Sequence, residues 1–449
     1  MQKEEKLKKI NLFLSVKQLM FFLIIFLLFI LRDGFGKNID DAVFYIAYII
    51  GFTIFTRKEV FTLFIFLLPL SNGPMLYFLN VIFGMTFIIK NAKYIKVTKV
   101  LLVCLLIVIW ELLHLIQSSF LGFNDSLIKF FGFGLCIITT TLVISNTNLR
   151  DDYTQILRAW CLGFGSFCFI LFTKYINNFG ISNFTTIVRR FGWIPNSLET
   201  SSTMLSINPN TMGKLVILTI FCLITMMNLT DIFTIQTLIE IIYFLVFGLM
   251  TGSRTFLLVV FILFSIYSLE LMFNAKENFK KILILSLVLL LITIIVNKYM
   301  QNTLVMISSR FEQSDLSGGR FETYKLYISS LNNYFLFLIF GSGMQNYNYK
   351  HGILNSSHNL FIEIISIWGI IGFILVFYWM LNLFEFSKME KNKLSKNKYL
   401  YKFLPLLSLF LYSQTGQFFI SYYHTLPTLV LAFLNIQYAS KVNLCKDRI

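Results

Sequence analysis

Charge is scarce in this chain. Of its 449 residues only 13% are Asp, Glu, Lys or Arg, whereas 57% are hydrophobic, and the mean hydropathy is +0.73. That leaves too little polar surface to cover a water-soluble globule. Cysteine is sparse as well: Cys104, Cys136, Cys161, Cys168, Cys222 and Cys445 fall in apolar stretches or the C-terminal tail, with no CxxC spacing. Neither a disulfide framework nor a thiolate metal site is indicated. DxD and HExxH are missing, and the acidic pairs Asp40/Asp41 and Asp151/Asp152 have no histidine or carboxylate spaced to share a cation, so no metal is expected. GxSxG, a Walker loop and GxGxxG are missing too, which leaves serine hydrolysis, ATP hydrolysis and nucleotide cofactors without support and predicts no cofactor.

Apolar runs of the roughly 17 to 25 residues that a bilayer core demands recur along nearly the whole chain. The expected fold is an all-α polytopic membrane protein of about 12 to 14 spans, the count depending on whether 60–70 and 75–89, split by Ser71 to Pro74, are two spans or one re-entrant feature. The first apolar run lacks a small-residue cleavage site and reads as an anchor. A net charge of +16 could point to nucleic acid. Its lysines, however, cluster at the N-terminus, at 90–99, 276–281 and 388–398 and at the C-terminus. Short lysine-rich connections are the cytoplasmic ones, so the excess is a topology signal that places both termini in the cytoplasm and excludes a nucleic-acid partner. The chain then reads as a single membrane domain, 1–449, lying among membrane lipids, with two sizeable outer-face loops at 174–211 and 298–357. Long connections in a compact protein usually carry function.

Within the second loop, Phe321, Tyr324, Ile328, Leu331, Phe335 and Leu338 recur every three or four positions. This predicts a one-sided surface helix over about 321–340, started by Ser317, Gly318 and Gly319 and stopped by the GSG at 341–343. At the end of that loop the stretch SSHNLFIEIISIWGIIG places His358 and Asn359 at the threshold of a span. Capped by Asn355, Ser356 and Ser357, His358 would occupy a first helical turn, where the helix dipole favours a neutral ring able to accept a proton. Positions 362, 365, 369 and 372 would stand within roughly 40° of it around the helix. Gly369 and Gly372 would thus form a close-packing face beneath the histidine, whereas Glu363, about 140° away, is poorly placed to orient the ring. The alternative is a capping or interfacial histidine with two packing glycines.

Arginine dominates the outer connections. Arg254 closes TGSR (251–254), Arg320 ends SGGR (317–320), and Arg189 and Arg190 lie in the first large loop. Each could pair with lipid phosphate. Grouped with His358 on one side, their planar forks suit bidentate phosphate recognition. Glu111 and His114, three residues apart inside a span, form either a proton relay or a locally satisfied polar pair.

TGSRTFLLV (251–259), SGGRFETYKLYISSL (317–331) followed by FGSGMQNY (340–347), SHNLFIEIISIWGIIG (357–372) and NPN (208–210) before a span resemble, in order and spacing over about residues 190 to 384, the O-antigen ligase and polymerase superfamily of bacterial membrane glycosyltransferases. The resemblance implies a glycosyltransferase C-like helical fold, a polyprenyl-diphosphate-linked glycan as donor, and work without a metal at the outer face of the cytoplasmic (inner) membrane. By position, Arg254 and Arg320 would hold the diphosphate and His358 would act on the acceptor hydroxyl. Arg189, Arg190, Asn210 and Asn359 are further candidates for binding substrate. Tyr324 departs from the tryptophan common in the family. A chain-length regulator is a candidate partner. Composition rich in Lys, Asn, Ile and Phe points to an AT-rich bacterial gene and favours a polymerase of capsular or O-antigen repeat units. The alternatives are a ligase moving finished glycan to lipid A core or another acceptor, and, from a different class, a transporter or flippase. A transporter would set its charges midway through the membrane along a path.

Overall fold

The computed structural model describes residues 14–118, 123–146, 149–180, 191–192, 204–230, 235–273, 275–299, 319–344, 347–353, 355–387 and 400–446, with isolated positions at 301, 305, 308, 309 and 312. These residues form helices and no strand. In chain order the helices are α1 (Val16–Phe29), α2 (Asp41–Ile54), α3 (Glu59–Leu67), α4 (Gly73–Asn91), α5 (Lys99–Ser118), α6 (Phe123–Asn146), α7 (Tyr153–Phe179), α8 (Pro209–Thr230) and α9 (Ile235–Met250). They continue with α10 (Arg254–Phe273), α11 (Ala275–Tyr299), α12 (Arg320–Asn333), α13 (Phe335–Phe340), α14 (Tyr347–Lys350), α15 (Leu360–Ser387), α16 (Leu404–Ser413) and α17 (Tyr422–Lys446). Seven of them (α4, α5, α6, α7, α8, α10 and α15) are long and apolar enough to cross a membrane, and α2, α3 and α9 are shorter apolar helices. The protein is an all-α polytopic membrane protein.

The chain divides into two compact units: Met1–Tyr94 with Thr147–Gly180 and Ile194–Ser206, and Ile95–Asn146 with Ile181–Trp193 and Ile207–Ile449.

In the first unit the segment around Ser71 resolves into two separate helices. Ser71 Oγ donates to the Leu67 carbonyl (3.0 Å) and lies 2.7 Å from the Tyr48 hydroxyl, ending α3 and its following 3-10 turn, while Pro74 in the first turn of α4 starts the next helix. From Val60 to Leu67 every side chain of α3 is buried. Phe64 stacks on Phe83 of α4 at 3.9 Å, and Gly163 of α7 lets the Phe66 backbone approach where any Cβ would collide with its carbonyl. Arg32 is buried in the turn after α1, 2.8 Å from both Asp33 and Asp41, with its guanidinium 4.3 Å from the Phe44 ring centre and 5.2 Å from that of Phe29.

The second unit is built on α8, which is buried along its whole length and packs against α9, α10, α16 and α17. Its longest helix, α15, is not continuous. Gly369 has φ 67° and ψ −170°, a region essentially reserved for glycine, and breaks the helical ladder. Broken backbone within an apolar span must be satisfied by protein, and here it is. Ser342 N–H (3.0 Å) and Oγ (2.8 Å) donate to the Ser366 carbonyl, Gly343 N–H to that of Ile367 (2.7 Å), and the Trp110 indole to that of Trp368 (3.1 Å). Gly341 and Gly369 face one another, and a Cβ on either would strike backbone of the other segment.

The stretch 321–340 forms two helices, α12 and α13, separated at Tyr334 (φ −120°, ψ 79°). Thr323, Tyr327, Ser330 and Leu331 turn inward, while Phe321, Ile328 and Phe335 of the apolar stripe are exposed. On the inward side Ser330 Oγ lies 2.7 Å from His351 Nδ1, and Thr323 Oγ1 donates to the Gly319 carbonyl one turn back (3.0 Å).

Candidate functional site

Four helix starts of the second unit meet around the C-terminal end of α16. NPN begins α8, with Asn208 Oδ1 accepting the Asn210 N–H (2.9 Å) and Pro209 at the first helical position. TGSR begins α10: Gly252 takes φ 58°, and Ser253 caps the helix by accepting the Phe256 N–H (3.3 Å), which puts Arg254 in the first turn. The two are joined, since Ser253 Oγ donates to Asn210 Oδ1 (2.9 Å) and lies 3.2 Å from the Tyr412 hydroxyl. Thr415 Oγ1 donates to Thr255 Oγ1 (3.0 Å). Arg320 opens α12, and the His358 turn precedes α15. Helix starts carry partial positive charge and unpaired N–H groups, so their convergence favours an anion.

Arg320 lies within electrostatic reach of Arg254 on one side and of His358 on the other. Burial, and then the charge of Arg254, pull the Arg320 guanidinium below its usual range, against the opposing Tyr324 and Tyr412. The His358 imidazole is pushed below the ordinary histidine range by burial first and the Arg320 charge second. Among the described residues Arg320 forms no ion pair with a carboxylate. Buried and repelled by Arg254, the Arg320 guanidinium is better stabilised with an anion beside it.

His358 does not occupy a first helical turn. It precedes the cap: Asn359 Oδ1 accepts from the N–H groups of Phe361 (3.0 Å) and Ile362 (3.2 Å), so Asn359 starts α15 in place of Asn355, Ser356 and Ser357. Those three are occupied elsewhere. The Tyr327 hydroxyl donates to the Asn355 carbonyl (3.0 Å), Gln417 Nε2 bonds Ser356 Oγ, and Ser357 N–H donates to the Tyr347 hydroxyl (3.2 Å). His358 itself has φ 50°, the one positive φ of a non-glycine among the described residues, a conformation that costs on the order of 1–3 kcal/mol and clusters at functional sites.

Gly369 and Gly372 consequently do not lie beneath the histidine on a common helical face. Gly369 admits the Ile339–Phe340 backbone, and Gly372 faces Trp110. Glu363 is fully buried, accepting from Phe418 N–H (2.8 Å) and Ile420 N–H (2.7 Å) and not orienting His358. Glu111 and His114 are each satisfied apart from one another. Glu111 accepts from Met344 N–H (3.0 Å) and the Trp368 indole (2.6 Å), and the two His114 nitrogens lie 2.8 Å from the Trp110 and Phe340 carbonyls. His351 is held by Ser330 and the Ser366 carbonyl. The ring of His358, by contrast, makes no hydrogen bond among the described residues. Arg189, Arg190 and Arg310 lie outside the described residues.

Tyr324, Tyr412 and Gln414 also belong to the site, and sequence reading did not select them as site residues. A signal existed for the first: Arg320, Tyr324 and Tyr327 are spaced i, i+4 and i+7, which places them on one helical face.

Residues 239–377, from α9 into α15, match the family model described as O-Antigen ligase. That stretch contains Arg254, Arg320, His358, Asn359, Gly369 and Gly372. No curated protein matches the chain.

Proposed function

Membership in the O-antigen ligase and polymerase superfamily, which the match supports, is the premise from which we propose that this membrane glycosyltransferase-type enzyme is a polymerase joining polyprenyl-diphosphate-linked repeat units at the outer face of the cytoplasmic membrane. The observation that carries the reading is the placing of Arg320 beside Arg254 and His358 around four helix starts, with no carboxylate ion-paired to Arg320 among the described residues.

The acceptor sugar hydroxyl attacks the anomeric carbon of the donor. The new glycosidic bond forms as the bond from that carbon to the diphosphate oxygen breaks, and the acceptor proton passes to His358. The leaving diphosphate accumulates negative charge, which Arg254 and Arg320 stabilise as preorganised cations; one such donor is worth about 2.7–4 kcal/mol in a water-excluded site. Proton removal by a neutral imidazole adds about 10²- to 10⁴-fold. A depressed His358 pKa keeps the ring neutral and ready. The choice of polymerase over ligase rests on composition: a chain rich in Lys, Asn, Ile and Phe fits a repeat-unit polymerase from an AT-rich gene.

Radiolabelled carrier-linked repeat units supplied to the protein in vesicles test this. Elongated lipid-linked glycan is the expected product. Transfer to lipid A core or a protein identifies a ligase, and label crossing the vesicle without a new bond identifies a transporter. His358→Ala should leave the protein inserted and slow product formation by about 10²- to 10⁴-fold, and Arg320→Lys should slow it by up to about 10²- to 10³-fold; full activity in either discards the assignment of that residue.

A further inference from the structure

We propose that Tyr324 is a positioning residue for His358: its phenol holds the left-handed backbone of the histidine and ties it to the helix that begins at Arg320. The inference rests on His358 being the base of the reaction above.

A non-glycine residue at φ 50° persists only where its surroundings over-determine it. Tyr327, Tyr347 and Gln417 secure residues 355–357, and Asn359 secures its own helix, but among the described residues only Tyr324 is bonded to His358 itself. Its hydroxyl lies 3.2 Å from the His358 carbonyl and 3.2 Å from the Gln414 carbonyl, which also receives Asn359 Nδ2 (3.4 Å). One phenol therefore joins three segments: α12, the histidine turn and the end of α16. If φ of His358 relaxed to the ordinary negative region, its carbonyl and Cβ would swing together, and the imidazole would leave its place beside Arg320. Arg320 stands one helical turn before Tyr324 on the same face of α12. A diphosphate drawn to Arg320 thus fixes the same rigid element that fixes the base, so leaving group and proton acceptor are set in one geometry.

The test uses the full chain in lipid with carrier-linked repeat units. Tyr324→Phe should lower kcat by on the order of tenfold to a hundredfold, the loss expected from misplacing a reacting group by about 1 Å, while KM for the lipid-linked donor stays put. In a His358→Gly background, where glycine accepts the left-handed turn and no ring remains to be placed, adding Tyr324→Phe should not lower the residual rate further, with or without added imidazole. Tyr334→Phe, a change at an exposed phenol in the link after α12, should leave kcat unchanged. The proposal is overturned if Tyr324→Phe raises KM alone, if it only lowers the melting midpoint with kcat per folded protein intact, or if it cuts the His358→Gly rate by the same factor as the wild-type rate. Full activity of His358→Gly without imidazole would instead remove the base assignment before Tyr324 is touched.

Discussion

Arg32 in the first unit and Arg320 in the second are the same side chain in opposite electrostatic settings. Arg32 is buried, flanked at 2.8 Å by Asp33 and Asp41 and set against the neighbouring rings of Phe29 and Phe44, so its charge is spent within the fold. Asp33 in turn accepts the Leu205 N–H (3.1 Å), which makes the arginine part of a clasp on the 204–206 segment. Arg320 has no carboxylate ion-paired to it among the described residues, and Arg254 repels it. A buried cation that is neutralised stabilises structure, whereas one kept beside another cation is stable only while partly solvated or while an anion is present. The contrast separates an arginine that builds the protein from one that binds.

Breaking the first clasp has the largest expected effect on stability. Asp33→Asn leaves Arg32 under-neutralised and should destabilise the folded protein by about 3–5 kcal/mol, read as a fall in melting midpoint in detergent; an unchanged midpoint would dissolve the distinction. Arg320→Gln should do the reverse, leaving stability within about 0.5 kcal/mol while lowering the transfer rate by about 10²- to 10³-fold. Inorganic pyrophosphate sharpens this contrast. At a hundredfold excess over its Kd it should stabilise the wild type by about 2.7 kcal/mol and the Arg320→Gln variant far less, and equal protection of both would place the anion elsewhere. The smallest effect is on pH. His358 must be neutral to accept a proton, and because burial and then Arg320 lower its pKa, the wild type should keep its rate below the ordinary histidine range and lose it only as pH falls further. Removing the Arg320 charge leaves burial in place, so the acid limb of kcat/KM should move part of the way up in pH; a limb that does not move would show that Arg320 and His358 are not neighbours.

Two departures from helical geometry in the second unit show how far the sequence could be read. The break at Gly369 has its freed carbonyls filled by Ser342, Gly343 and Trp110. The turn at His358 has its backbone tied and its ring left over. Neither is visible in the apolar run that follows Asn359, which reads as one span with the histidine inside its first turn. GSG at 341–343 reads as a helix stop, and its second role, supplying backbone N–H groups to Ser366 and Ile367, requires a partner more than twenty residues away. Apolar periodicity in α12 selects Phe321, Ile328 and Phe335, which are exposed, and does not show that Ser330 meets His351 on the inward side.

By itself the sequence determined the membrane class, the helices and the chemistry available. Apolar runs have no stable state in water, and Asn208, Ser253 and Asn359 carry their capping bonds locally, within three residues of themselves. Only the tertiary structure decided that Arg320 lies within electrostatic reach of both Arg254 and His358, because 104 positions of chain separate Arg254 from His358 and no local rule closes that distance. It also decided the hand of the His358 backbone. That conformation is unfavourable for the residue alone and is held by tyrosines and glutamines whose positions are set by packing of other helices.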